Sequence, residues 1–166
     1  MKGKNEIGMS LIVKTTTRWI KGFIFLFGCY IFTYGHLSPG GGFPGGVIIA
    51  AVFILLTLAF GKEYAERKLW PGLASELDSL GALIFLFIGI TAIYFGGYLF
   101  ENFIEKYYPT GNFRVFSAGV IPLQNFAIAV KVGTSLFMVF IILAVRRVVF
   151  INGKGKLIST PRRDEK

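Results

Sequence analysis

Lys131 is the residue most suggestive of chemistry, because it interrupts an apolar run that ends only at Arg146 and Arg147. A membrane helix starting at Asn125 would place it ~9 Å deep at 1.5 Å per residue. One starting at Ile121 would place it ~15 Å deep, near the middle of a ~30 Å hydrocarbon core. An ammonium at the centre of a membrane helix costs roughly 2.5–3.5 kcal/mol, which a partner, water or a snorkelling stem must offset. Two readings stand. In one, the stem carries the charge out to the interface; in the other, desolvation lets the lysine exchange its proton and take part in an ion path. His36 is the sole histidine and lies at the outer end of the first apolar run. It either closes a turn by hydrogen bonding or relays protons, histidine being the side chain that ordinarily titrates nearest physiological pH. Glu101, at the outer end of the third run, completes a candidate cluster of acid, imidazole and amine.

Next to His36 lies a glycine hairpin, Pro39-Gly40-Gly41-Gly42-Phe43-Pro44-Gly45-Gly46. It lacks the Lys-Ser/Thr ending of a phosphate-binding loop, so nucleotide binding is not expected. It reads either as a tight turn between two closely packed helices or as exposed backbone lining a wet pathway. Covalent catalysis has no support: no nucleophile elbow, no paired carboxylates and no metal-ligand spacing is present, and the expected spans contain no Asp or Glu. Cys29 is the only cysteine, which excludes an internal disulfide and an iron–sulfur cluster. No enzyme activity, cofactor or metal is expected.

These residues need a membrane scaffold to position them. Of 166 residues, 54% are hydrophobic and 16% charged, with a mean hydropathy of +0.63, outside the range of ordinary soluble domains. We expect an all-α integral membrane protein with four transmembrane helices, near residues 19–35, 44–61, 79–100 and 121 or 125–145. Pro44 suits the first turn of the second. Small residues, among them Gly46, Gly81, Gly89 and Gly133, mark where helices approach one another.

The eighteen basic residues are unevenly placed. Lys2, Lys4, Lys14, Arg18 and Lys21 precede the first span, and Lys62, Arg67 and Lys68 lie in the middle loop. Arg146, Arg147, Lys154, Lys156, Arg162, Arg163 and Lys166 follow the last span, and only Lys106 and Arg114 fall on the opposite side. The positive-inside rule then makes both termini cytoplasmic and accounts for the net charge of +9 without nucleic acid. Residues 1–18 form a short amphipathic interfacial segment, with Lys14, Arg18 and Lys21 on one face and Trp19 at headgroup level. Residues 19–148 form the transmembrane domain and 149–166 a polar, mobile cytoplasmic tail.

Gly35-His36 with Pro39-Gly40-Gly41-Gly42-Phe43 and Gly45-Gly46 resembles the MnhB-like subunit of the Mrp/Mnh-type multisubunit Na+/H+ antiporters. A second stretch, Phe116-Ser117-Ala118-Gly119-Val120-Ile121-Pro122-Leu123-Gln124-Asn125 followed by Lys131-Val132, is similar to that family's lead-in to its final helix. The resemblance covers roughly residues 10 to 148. It implies a prokaryotic, multi-pass cell-membrane subunit without activity of its own, whose partners are the other membrane subunits of an antiporter moving Na+ and H+. Related modules occur in archaeal membrane-bound hydrogenases and sulfur-reducing complexes, and the larger antiporter subunits are related to those of respiratory complex I. The motif positions it carries over are His36, the hairpin glycines, Asn125 and Lys131; Pro122 belongs to the same lead-in. The expected function is that of an accessory subunit that scaffolds or lines an ion path. The alternatives are a small self-sufficient homodimeric transporter, which would normally need an intramembrane acid, and a purely structural four-span subunit.

Overall fold

The computed structural model describes residues 9–109, 118–151 and 154–159. Residues 1–8, the lead-in residues Phe116 and Ser117, Arg114 and the tail from 160 lie outside them. Six helices and two strands follow in order: α1 (Leu11–Thr33), α2 (Gly42–Phe60), α3 (Lys62–Lys68), α4 (Pro71–Gly96), α5 (Phe103–Tyr107), α6 (Ile121–Val145), β1 (Arg146–Ile151) and β2 (Lys154–Ser159). Among the described residues three helices are long and apolar enough to cross a membrane: α2, α4 and α6. At 1.5 Å per residue they are about 28, 39 and 37 Å long.

The first expected span falls in the second half of α1. The basic segment with Lys14, Arg18 and Lys21 forms the opening turns of that same helix. Nothing between Thr15 and Ile24 breaks helical geometry, so the amphipathic and apolar parts propagate as one cylinder. Arg18 is held over the Phe60 ring, 5.6 Å from its centroid, which ties this basic stretch to the end of α2.

Helix α2 begins at Gly42, two residues before the expected start, and Pro44 sits in its first turn. Helix α4 begins much earlier than expected, with Pro71 at its first position, so Glu76 and Asp78 are helical. The loop expected at 62–78 is thereby reduced to α3 and a short link. The part of the chain up to Val145 is all-helical, as expected; after α6, β1 and β2 pair antiparallel, with Arg146 opposite Ser159 and Ile151 opposite Lys154.

The long helices pack side by side in a row, α1 on α2, α2 on α6, and α6 on α4. Contacts fix their directions. Gly28 faces Gly45 and Ile49, so α1 and α2 are antiparallel; Gly42 faces Asn125 and Gly46 faces Ala129, so α2 and α6 run parallel; Gly81 faces Ala127 and Lys131, so α4 opposes α6. The hairpin and the start of α6 therefore share one end of the row. At the other end Val52, Leu56, Ala65, Leu69, Ala74, Phe137 and Ile141 form the buried core, with the Phe137 side chain fully enclosed and its ring 5.4 Å from that of Phe53. Helix α3 closes this end by inserting Ala65. Along the outward faces of α1 and α4, large apolar side chains such as Phe23, Leu26, Leu83 and Phe87 are exposed, as a lipid or protein environment requires.

Candidate functional site

The centre of interest is the seam between α4 and α6. Gly81 lets the two helices touch: a β-carbon there would lie 2.8 Å from the Ala127 carbonyl oxygen and 3.0 Å from Lys131 Cβ. Close approach brings Asp78, one turn earlier on α4, against α6. Lys131 Nζ donates to Asp78 Oδ1 at 2.8 Å, and Ser135 Oγ donates to the same oxygen at 2.5 Å. Lys131 and Ser135 are four residues apart and so share a helix face. Between them, the Thr134 hydroxyl donates back to the carbonyls of Val130 and Lys131, at 2.9 and 3.1 Å, and so stays out of the site. Lys131 lies ten residues from the start of α6, ~15 Å along its axis, close to mid-helix.

An acid thus lies within the helix that carries the third expected span, one residue before that span's expected start. By hydropathy Asp78 reads as a loop residue, because a charge marks a span boundary, yet that charge is balanced by a lysine on another helix. The pair is not sealed off: the Lys131 and Asp78 side chains keep 44% and 33% of their exposure. The lysine ammonium is thus bound to a carboxylate of the neighbouring helix, in a contact that stays partly open.

The glycine hairpin is shaped for a second seam. Gly41 has φ +135°, a conformation that side-chain-bearing residues rarely adopt, and it turns the chain into α2. The Gly42 N–H donates to Asn125 Oδ1 at 3.2 Å, so Asn125 holds the start of α2. Gly35 packs against Gly41 and Asn125, and a β-carbon on Gly42 would collide with the Asn125 backbone. Of the other hairpin residues, Gly45 abuts Phe32, Gly46 abuts Ala129, and Pro39 and Gly40 form the exposed tip. Pro122 is buried in the first turn of α6. These positions are brought together by packing.

His36 is half-buried in the turn beside this seam. Its neighbour Gly35 meets Asn125, six residues before Lys131, which sets the two sites about 9 Å apart along α6. Glu101 is elsewhere engaged. Lys106 Nζ donates to Glu101 Oε1 at 2.8 Å and to the Gly96 carbonyl at 3.1 Å, and the Glu101 carboxylate pushes the Lys106 ammonium above its usual range. That ammonium sits where the carbonyls at the C-terminus of α4 favour positive charge. The acid and the amine of the expected outer cluster are thus bound to different partners. Sequence reasoning also passes over Asn102, which accepts from Val120 N–H at 3.1 Å and donates to the Ala118 carbonyl at 2.9 Å, fastening the lead-in of α6. Among the described residues no group of three His, Cys, Asp or Glu is placed to hold a metal.

Long apolar helices joined by glycine seams, with one charged pair between two of them, define a helical integral membrane protein. The chain belongs to the family of domains related to the MnhB subunit of Na+/H+ antiporters, whose profile matches residues 12–138. It is 37% identical over 121 residues to MJ1307, an uncharacterised protein of Methanocaldococcus jannaschii, covering 69% of this chain and 45% of that protein. A Staphylococcus aureus (strain Newman) protein named as antiporter subunit mnhB2 is 35% identical over 100 residues, 60% of this chain and 67% of the relative. Among solved structures, a chain of the membrane-bound sulfane sulfur reductase, an archaeal respiratory membrane complex, is similar with a TM-score of 0.64 and 34% identity, covering 86% of this chain and 60% of that one. The chain thus spans about half the length of the Methanocaldococcus relative and three-fifths of the reductase chain.

Proposed function

We propose that the protein is a non-catalytic membrane subunit of a multisubunit monovalent cation/proton antiporter, or of a redox-driven complex containing such a module. It has four spans, the first supplied by α1, and both termini on the cytoplasmic side. Its partners are the other membrane subunits and the bilayer, and the ions of the complex are Na+ and H+. The observation that carries this reading is the Asp78–Lys131 pair, half-exposed near the middle of α6. Ionisable groups at membrane depth are costly and mark ion or proton paths when they face a cavity or another subunit. Helices in a row, with apolar outer faces on α1 and α4, fit a subunit that is completed by neighbours. Lys131 is the leading path residue; His36 lies beside the hairpin as a secondary candidate, and Glu101 serves chiefly to close the end of α4 through Lys106.

Family membership and likeness to a respiratory-complex chain support the same assignment. The test is affinity purification of the tagged subunit in mild detergent, followed by reconstitution. Co-purification of several membrane subunits with Na+-driven proton efflux in vesicles is the expected result. A lone homodimer that transports Na+ by itself would favour the second reading, a self-sufficient transporter, which Asp78 supports by supplying the intramembrane acid such a protein needs.

A further inference from the structure

Sequence alone does not single out Asp78 and Ser135, and their geometry is that of a site whose ligand is exchangeable. Asp78 Oδ1 receives both the Lys131 ammonium and the Ser135 hydroxyl, which leaves Oδ2 uncommitted among the described residues. Ser135 uses its proton on Asp78, so the lone pairs of its Oγ remain available as a ligand. Carboxylate and hydroxyl oxygens are the ligands that hard cations take. One positive charge already sits against these oxygens, on a side chain with three rotatable N–H donors that keeps 44% of its exposure. We propose that Asp78 and Ser135 form a binding site for a monovalent alkali cation, which the cation and the Lys131 ammonium occupy in turn.

The exchange balances in atoms and charge. The Lys131 ammonium, paired with the Asp78 carboxylate, loses one proton to the path and swings away as a neutral amine; one cation then takes its place on the carboxylate and the Ser135 oxygen. The site carries no net charge before or after, so each turn exchanges one cation for one proton without leaving an unpaired charge in the membrane. No other charge competes at this depth among the described residues. Glu76, two residues earlier on α4, is exposed, and α5 meets α4 at the far end, where Lys106 is committed to Glu101 and Gly96, roughly 27 Å along the helix. The inference rests on the reading of the chain as an antiporter subunit, and gives that reading a substrate site.

The test uses the intact complex, purified with each variant of this subunit, and measures 22Na+ bound per complex between pH 6 and 9 together with Na+-driven proton efflux in vesicles. In the wild type, apparent Na+ affinity at this site should weaken as pH falls, approaching tenfold per pH unit, because each cation bound displaces one proton. Lys131→Met should remove that pH dependence, and Asp78→Asn should bind one Na+ fewer. Ser135→Ala, which keeps a good helix former in place, should assemble normally and lose about fivefold in affinity, the effect of one ligand oxygen. Unchanged pH dependence in Lys131→Met, or unchanged affinity in Ser135→Ala, overturns the site. So does an Asp78→Asn/Lys131→Met pair that assembles and transports as the wild type does, which would make the polar contact a mere helix seam. If the single variants shed the other subunits and the double variant regains them, the pair is a docking point for a partner helix instead. A wild-type subunit that brings down no partners and drives no exchange refutes the antiporter reading itself.

Discussion

Gly46→Ala should weaken the α2–α6 seam, although alanine is the better helix former. A β-carbon at Gly46 would lie 2.7 Å from the Ala129 carbonyl oxygen, 2.9 Å from Val132 Cβ and 3.1 Å from Ala129 Cα. Two of these atoms are backbone and the third is the fixed branch point of a valine, so no rotamer change relieves them. The helices must separate by roughly 0.5–1 Å to restore ordinary contact, and overpacking of this kind costs about 1–3 kcal/mol. Against that stands a gain of about 1 kcal/mol in helix propensity, leaving a net loss of about 1 kcal/mol. Gly133, on the opposite side of the same seam, provides the control. Its added β-carbon would meet Gly46 O at 3.4 Å and Ile49 at 3.6 Å, which is ordinary packing. Gly133→Ala should therefore keep most of its propensity gain, and the two variants should differ by about 2 kcal/mol with opposite signs. Heating the detergent-solubilised complex in steps, with size-exclusion detection of the fluorescently tagged subunit, should place Gly46→Ala below the wild type and Gly133→Ala at or above it. If Gly46→Ala matches the wild type, or Gly133→Ala is as damaging, the seam is not packed as tightly as these distances state.

Gly41→Ala should reduce recovery of the assembled complex, since its φ of +135° costs a side-chain-bearing residue about 1–3 kcal/mol, whereas Ser38→Ala, which loses one hydroxyl bond to the Tyr34 carbonyl, should be mild. Equal recovery of the two would show that the turn is only a connector. The contribution of Lys106 to stability, measured against Lys106→Met, should be constant from neutral pH up to its ordinary value of 10.5. It should then fade as pH rises through the elevated folded value, because a raised ammonium stabilises only while protonated; a difference that grows with alkalinity would refute the pairing with Glu101. Single cysteines at Gly3 and Lys154, in a Cys29→Ser background, should react with a membrane-impermeant label only after permeabilisation, and labelling of either on intact cells would overturn the proposed orientation.

The helices are legible in the sequence because apolar length and glycine punctuation are local signals. The proline-glycine hairpin and the stretch up to Arg146 place the start of α2 and all of α6 within a few residues of where they lie, while the run after Lys21 finds the end of α1 but not its start at Leu11. The seams are legible too: Gly46 and Gly81 are small because another helix occupies the space a side chain would fill, whereas Gly133 marks the seam without being required by it. The strand pair after α6 escapes such a reading for a compositional reason. Arg146, Arg147, Lys154 and Lys156 read as a solvated tail, although Val148-Val149-Phe150-Ile151 is rich in β-formers and Asn152-Gly153 is the dipeptide that most favours a tight hairpin. The charges there mask the pattern.

The same masking hides the partner of Lys131, and here no local signal corrects it. A hydropathy window ends a span at its first charge, so the third span begins at Ser79 and Asp78 falls outside by one residue. Whether a carboxylate can lie within a membrane helix depends on what faces it, and what faces Asp78 is 53 residues away in sequence. The reciprocal clue is present in α6: a lysine ten residues into an apolar helix demands a counter-charge, and the nearest acids bordering any expected span are Asp78 and Glu101. Antiparallel packing of α4 on α6 decides between them. It sets the first third of α4 against the middle of α6, which brings Asp78 to Lys131 and leaves Glu101, beyond the far end of α4, to Lys106. The direction of the helices, more than the identity of the acid, selects which carboxylate Lys131 holds.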